Sequence, residues 1–193
     1  MSNAKVLAFS GSTREESFNQ RLASYAAGKA RLAGADVTLI NLRDYPMPLM
    51  DQDLERDQGQ PEHAGRLKQL MAEHDGFLIA SPEYNGSISP LLKNALDWAS
   101  RRTGDEPSMM AYKGKTVALM SASPGRLGGL RGLVPVRQLL SNLGALALPG
   151  QASIGAAFTA FDDAGQLVNE HDVKSVDSLV SAFVTLLGQL GRS

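Results

Sequence analysis

Two short stretches carry side chains that a plain connecting loop does not need. The first, SGSTREESFNQ at residues 10–20, offers hydroxyls at Ser10, Ser12, Thr13 and Ser17, the side-chain amide of Asn19 and the guanidinium of Arg14. Donors gathered around one positive charge at the amino end of a helix are what a phosphate group requires. The helix dipole adds about 0.3–1 kcal/mol when exposed. The same residues also suit a solvated loop in which Ser17 only caps its helix, and this loop by itself does not choose between the two. The second stretch, SPEYNG at residues 81–86, sets Glu83, Tyr84 and Asn85 directly after an apolar run. Tyr84 supplies a flat amphipathic face, Asn85 both donates and accepts, and Pro82 stiffens the turn that aims them. Taken in isolation, Tyr84 would pack on its own domain, and Glu83 would be solvated or pair with an arginine. A third stretch, SASPGRLGG at residues 121–129, places hydroxyls at Ser121 and Ser123 among Gly125, Gly128 and Gly129. Those glycines let backbone approach a ring closely, though a turn that merely opens a helix looks the same.

The elements between these stretches explain how they meet. Val6–Phe9 is a compact apolar run of the kind buried on both faces of a sheet. A helix is predicted from Ser17, with Gln20 at capping-box spacing and Phe18, Leu22, Tyr25 and Ala26 on one face. Val37–Leu42 is a second strand. Leu67, Leu70, Met71 and His74 mark a helix, and Phe77–Ala80 a third strand. The next helix opens with Ser89 as cap and Pro90 in the first position, where no amide is needed. Thr116–Met120 is a fourth strand, followed by a helix through Val136, Leu139, Leu140 and Leu143. Ala145–Leu148 begins a fifth strand that resumes at Ala152–Ala157, and a last helix carries Val176, Leu179, Val180, Phe183, Leu187 and Leu190. Strands alternating with helices predict one α/β domain over residues 1–193. The five-stranded parallel sheet, with helices on both faces, suits the flavodoxin-like order 2-1-3-4-5. All its carboxyl ends share one edge, so the three polar stretches become neighbours there. The one long connector, residues 43–62, is expected to be functional or to touch a partner.

Composition narrows the rest. The 193 residues are 43% hydrophobic and 20% charged with a formal net charge of −1, so no basic surface for nucleic acid is expected. With no cysteine there is no disulfide, thiol nucleophile or iron–sulfur ligand, which fits a reducing compartment. The amino terminus lacks a signal-type apolar region and no run approaches the roughly 18 apolar residues of a membrane span, so a cytoplasmic protein is expected. The three histidines are scattered, which offers no metal site, and no G-x-S-x-G elbow is present. Neither common nucleotide fingerprint follows the first strand.

GSTREESFN followed by SPEYNGSISPLLKNALDW resembles the NADPH-dependent FMN reductase family, the flavodoxin-like quinone, chromate and azo-dye reductases. The shared pattern is G-S-x-R-x-x-S-x-N after strand one and P-E-Y-N-x-S after strand three, continued by L-K-N-A-x-D-W. The resemblance implies FMN held without a covalent bond and NADPH or NADH as a transient hydride donor. It puts Ser12, Arg14, Ser17 and Asn19 around the phosphate with Phe18 adjacent, adds Ser10 to the cofactor-binding residues, and sets Pro82, Glu83, Tyr84 and Asn85 beside the isoalloxazine. Ser121, Ser123 and Gly125 fall at the polar rim, and Arg126 and Arg131 are candidates for a 2′-phosphate. It also implies a homodimer or homotetramer, for which the 43–62 connector and Arg101-Arg102 are the candidate contacts.

The function expected is therefore hydride transfer from NAD(P)H through FMN to a small acceptor such as a quinone, chromate or an azo dye. The chemistry would belong to the cofactor, so no acid–base residue is required. A flavodoxin-like electron carrier without nicotinamide turnover is the rival; a near-neutral chain lacks the acidic surface expected of a carrier that docks basic partners. A phosphate-binding module without flavin is the third reading.

Overall fold

Apolar runs with no polar interruption can only be satisfied by burial on both faces, and those of the first and third strands lie inside a five-stranded parallel sheet whose two outer strands are partly exposed. The computed structural model describes residues 3–191. Its elements are β1 (Lys5–Ser10), α1 (Phe18–Leu32), β2 (Asp36–Leu39), a short 3-10 turn (Leu42–Asp44), α2 (Gln52–Gln58), α3 (Glu62–Ala72), β3 (Gly76–Ala80), a hairpin of β4 (Glu83–Tyr84) and β5 (Ser87–Ile88), α4 (Pro90–Ala99), β6 (Thr116–Ala122), α5 (Leu130–Asn142), β7 (Leu146–Ile154) and α6 (Glu170–Leu190). The main sheet runs β2-β1-β3-β6-β7 with every pair parallel. Setting the small hairpin aside, this is the flavodoxin-like order 2-1-3-4-5.

Alternation along the strands splits the core into two layers. Val6 and Ala8 of β1, Leu78 of β3 and Met120 of β6 face α1 and α6, where Leu22, Ala26, Val180 and Phe183 pack. Leu7, Phe9, Phe77 and Leu119 face the opposite way, onto Leu67, Met71, Leu92, Leu96, Leu133 and Leu140 of α3, α4 and α5. By length and composition α6 could cross a bilayer, which no run was expected to approach. In the fold it turns Val176, Val180 and Phe183 into the α1 layer.

Several boundaries differ from the expected ones. The second strand ends at Leu39, because Asn41 accepts the Arg43 amide and turns the chain into the short 3-10 segment. The 43–62 connector contains α2, capped by Asp51, and it is fastened to α4. Trp98 Nε1 and Asn94 Nδ2 each donate to the Pro48 carbonyl at 2.8 Å, and Arg101 binds Glu55 at 2.7 Å. The fifth strand is continuous through Pro149, which sits on the edge of the sheet where no amide is required, and it stops at Ile154. Arg137 of α5 donates to the Leu148 carbonyl of that edge strand and to Gln151 Oε1, while Arg31 of α1 donates to the Val37 carbonyl of β2, the other edge.

Candidate active site

The carboxyl ends of β1, β3 and β6 release three loops side by side, and a few buried hydrogen bonds stitch them together. After β1, the Gly11 amide donates to the Ala80 carbonyl at 2.9 Å, and Ser89 Oγ, which caps α4 by accepting the Leu92 amide, donates to the Gly11 carbonyl at 2.7 Å. The first and second loops are thereby one unit. Asn19, buried in the first turn of α1, reaches the end of β6: its Nδ2 donates to the Ala122 carbonyl and its Oδ1 accepts the Ala122 amide, each at 2.9 Å. That couples the first loop to the third.

Within the first loop Ser17 caps α1 by accepting the Gln20 amide at 3.2 Å, as the sequence implies, and the helix points its positive end at the loop. Ser10 Oγ accepts the Ser12 amide at 3.1 Å and Ser12 Oγ accepts the Arg14 amide at 3.4 Å, so the serines shape the loop while their hydroxyl protons stay free to donate. The loop's two acids are taken: Glu15 lies 3.5 Å from Arg43, and Glu16 2.8 Å from Arg21. Among the described residues Arg14 pairs with no carboxylate; its guanidinium rests over the Phe18 ring at 5.4 Å. The loop therefore presents one uncommitted cation. Asn19, grouped with the phosphate donors on the sequence, spends one donor and one acceptor of its side-chain amide on Ala122 and so braces the loop.

The second loop is a two-residue hairpin. Asn85 and Gly86, at φ 52° and 80°, make the left-handed pair that a type I′ turn demands. Glu83 pairs with Ile88 and Tyr84 with Ser87 across it. Pro82 is buried, and Tyr84 stands 55% exposed at the tip beside Asn85. Glu83 turns away from them. Its Oε1 accepts Arg131 Nε at 2.9 Å and Nη2 at 2.6 Å, and its Oε2 accepts the Gly132 amide at 3.2 Å. Burial pushes the Glu83 carboxyl up, but the Arg131 guanidinium and the Gly132 amide outweigh it and leave the carboxyl below its ordinary value. Arg131, a candidate for a 2′-phosphate, is thus committed to Glu83, whereas Arg126 is exposed.

In the third loop Ser123 donates its amide to the Ile154 carbonyl at 3.0 Å and its Oγ accepts the Gly125 amide at 3.4 Å. Ser121 is fully buried and its Oγ has no hydrogen-bond partner among the described residues. It lies under Gly129, whose φ of 84° and lack of a side chain are both needed there, because a Cβ would fall 1.9 Å from that oxygen.

Sequence reading missed Phe158, which is 77% exposed and meets Phe18 edge-on at 5.2 Å. It lies beyond β7, and no spacing links it to Phe18. For Glu83 an arginine partner is one of the two expected alternatives, and the structure shows it to be Arg131, whose identity no local spacing could give.

A doubly wound sheet whose carboxyl edge joins a cationic hydroxyl loop, an exposed tyrosine hairpin and a glycine-rich turn defines a flavodoxin-like flavoprotein site. These residues fit FMN: Arg14 and the serines suit its phosphate, Tyr84 suits a flat ring, and Ser121 supplies a buried hydroxyl without a protein partner. Residues 4–159 match the NADPH-dependent FMN reductase family. A quinone reductase from Pseudomonas putida is 35% identical over 159 residues, 81% of each chain. An NAD(P)H-dependent FMN reductase from Pseudomonas aeruginosa is 35% identical over 167 residues, 86% of this chain and 85% of that one. Among solved structures, the flavoenzyme NAD(P)H:(acceptor) oxidoreductase FerB from Paracoccus denitrificans superposes with a TM-score of 0.80 at 28% identity, covering 96% of this chain and 98% of that one. The chain belongs to the NADPH-dependent FMN reductase family. It is an oxidoreductase that uses FMN with NAD(P)H as donor.

Proposed function

We propose that this chain passes reducing equivalents from NAD(P)H to quinones, with FMN held across the three loops. The observation that carries the reading is the uncommitted Arg14 in a loop whose other charges are already paired, bound by Ser89 to the loop that carries Tyr84 and Asn85. Relatives named quinone reductase, and a 2-hydroxy-1,4-benzoquinone reductase from Burkholderia that is 40% identical over 124 residues, 64% of this chain, support the choice of acceptor.

Bound FMN would supply the hydride and electron chemistry. What the chain contributes is binding and orientation. Arg14, with the hydroxyls of Ser10, Ser12 and Ser17 and the amino end of α1, would hold the phosphate, its guanidinium resting over the Phe18 ring. Pro82, Tyr84 and Asn85 border the ring, and Ser121, Ser123 and Gly125 line its polar rim. Glu83 and Asn19 hold this frame together from behind. No side chain is asked to act as acid or base, because the hydride chemistry would belong to the flavin.

The open, tyrosine-bordered edge suits flat acceptors, with chromate and azo dyes as further candidates. Assembly into a homodimer or homotetramer would cover that edge. A reducing, NAD(P)H-supplied cytoplasm is the setting that fits a cysteine-free chain.

The test is steady-state oxidation of NADPH and of NADH by the FMN-loaded protein with a benzoquinone, an azo dye and chromate. Turnover fastest with the quinone is expected. Bound FMN that no nicotinamide reduces would favour an electron carrier, and a protein that cannot be loaded with flavin would remove the reading altogether.

A further inference from the structure

A hairpin of two residues per strand has too little contact of its own to hold a fixed position. The β4–β5 hairpin is nevertheless the element that carries Tyr84 and Asn85 to the proposed ring edge, so something else must seat it. Its flanks are tied down at Ser81 and Ser89, and among the described residues the side-chain hydrogen bonds of the hairpin itself run to α5. The Glu83 side chain is only 8% exposed, and all three hydrogen bonds to it come from Arg131 and Gly132. Gly132 is the complementary feature, because a Cβ there would lie 3.0 Å from Glu83 Cβ and 3.1 Å from both Glu83 Cα and the Ser87 carbonyl oxygen. The helix thus presents a bare patch of backbone to the hairpin. Gly129, the cap residue just before α5, offers no side-chain cap, and the Glu83 carboxylate takes that place from another part of the chain.

We propose that Glu83 is a positioning residue: by binding Arg131 and the first turn of α5, its carboxylate locks the Tyr84–Asn85 hairpin to the third loop and so sets the ring-facing edge of the flavin site. This rests on the proposed FMN reading. It assigns Glu83 no contact with the ring, and it removes Arg131 from the pool of groups free to meet a nicotinamide phosphate. Because the lock acts on the ring edge and not on the phosphate loop, its loss should weaken any ligand with an isoalloxazine, phosphorylated or not.

The experiment compares wild type with Glu83→Gln, Arg131→Met and the double variant, and uses Asp53→Asn on α2 as a control. Flavin-free protein is titrated with FMN and with riboflavin, which lacks the phosphate. Visible circular dichroism is recorded at saturating FMN, and thermal unfolding is followed without flavin. Either single variant is expected to weaken FMN and riboflavin by the same factor, roughly tenfold, and to alter the dichroism of the bound flavin. The double variant should be no worse than the singles, since both remove one shared contact. If Glu83→Gln fails to fold, Arg131→Met decides alone, because that side chain is 66% exposed. Unchanged affinity and dichroism, lower melting temperature without an effect on flavin, or additive losses in the double variant would each overturn the proposal. A wild-type protein that takes up neither flavin would instead sink the functional reading beneath it.

Discussion

Asn19 and Ala122 lie 103 residues apart and close a two-bond ring, with the Asn19 amide group answering both the carbonyl and the amide of Ala122 at 2.9 Å. Asn19 is 4% exposed and Ala122 3%, so water cannot replace either bond. Asn19→Ala would strand two buried backbone groups, and the expected loss of unfolding free energy is about 3 kcal/mol. Urea denaturation of the flavin-free protein measures it; a loss under 1 kcal/mol would mean that the loops are held mainly by other contacts.

Arg14→Ala should act on the ligand and not on the fold. The guanidinium is exposed and ion-pairs with nothing among the described residues, so the urea midpoint is expected to stay put. FMN affinity should fall about 10- to 100-fold, the equivalent of roughly 1.5–3 kcal/mol for a charged hydrogen bond, while riboflavin affinity is unchanged. Equal loss for both ligands would place Arg14 away from the phosphate.

Gly129→Ala combines two faults. The residue has φ 84°, and its new Cβ would sit 1.9 Å from Ser121 Oγ. A cost of about 2–4 kcal/mol is expected. Adding Ser121→Gly removes the collision but not the dihedral strain, so thermal unfolding of the double variant should recover part of the loss and no more.

Acid should loosen the segment after α4 through Glu106. Lys68, only 3% exposed, donates to Glu106 Oε2, to Thr103 Oγ1 at 3.0 Å and to the Arg101 carbonyl at 3.2 Å. The Lys68 ammonium, with the Thr103 amide, holds the Glu106 carboxyl below its ordinary value. A depressed carboxyl contributes its stability above its unfolded value and loses it as pH falls through the lower, folded one. Glu106→Gln is therefore expected to cost about 2 kcal/mol at neutral pH, and to cost progressively less as the pH drops below the carboxylate range. Chemical denaturation at a series of pH values checks this; a pH-independent difference would refute the linkage.

The parts of this fold that can be read from the chain are those written locally. Ser17 and Ser89 cap their helices, Pro90 starts α4, and the unbroken apolar runs of β1 and β3 can only lie in the middle of a sheet. Once the strand order is known, the three polar loops must share an edge. Helix α2 escaped notice because it buries no residue, so no apolar period marks it. Partners escaped for a different reason. Asn19 and Glu83 both occupy the expected loops, yet what each touches lies 103 and 48 positions away, where only packing decides. The side-chain type announced that these residues matter; the tertiary contact identified their partners, Ala122 for Asn19 and Arg131 with Gly132 for Glu83.

The arginines at the two outer strands have a consequence beyond local bonding. An open sheet ends in two rows of unpaired amides and carbonyls, and either row can recruit a strand from another molecule. Arg31 occupies a carbonyl of β2, and Arg137 occupies the Leu148 carbonyl of β7 next to Pro149, which has no amide to offer. Each charged head thus sits on an outer strand, the kind of placement that discourages strand addition. Both margins of the sheet are thereby touched by charged side chains that reach out from helices, a feature that disfavours fibrous self-association.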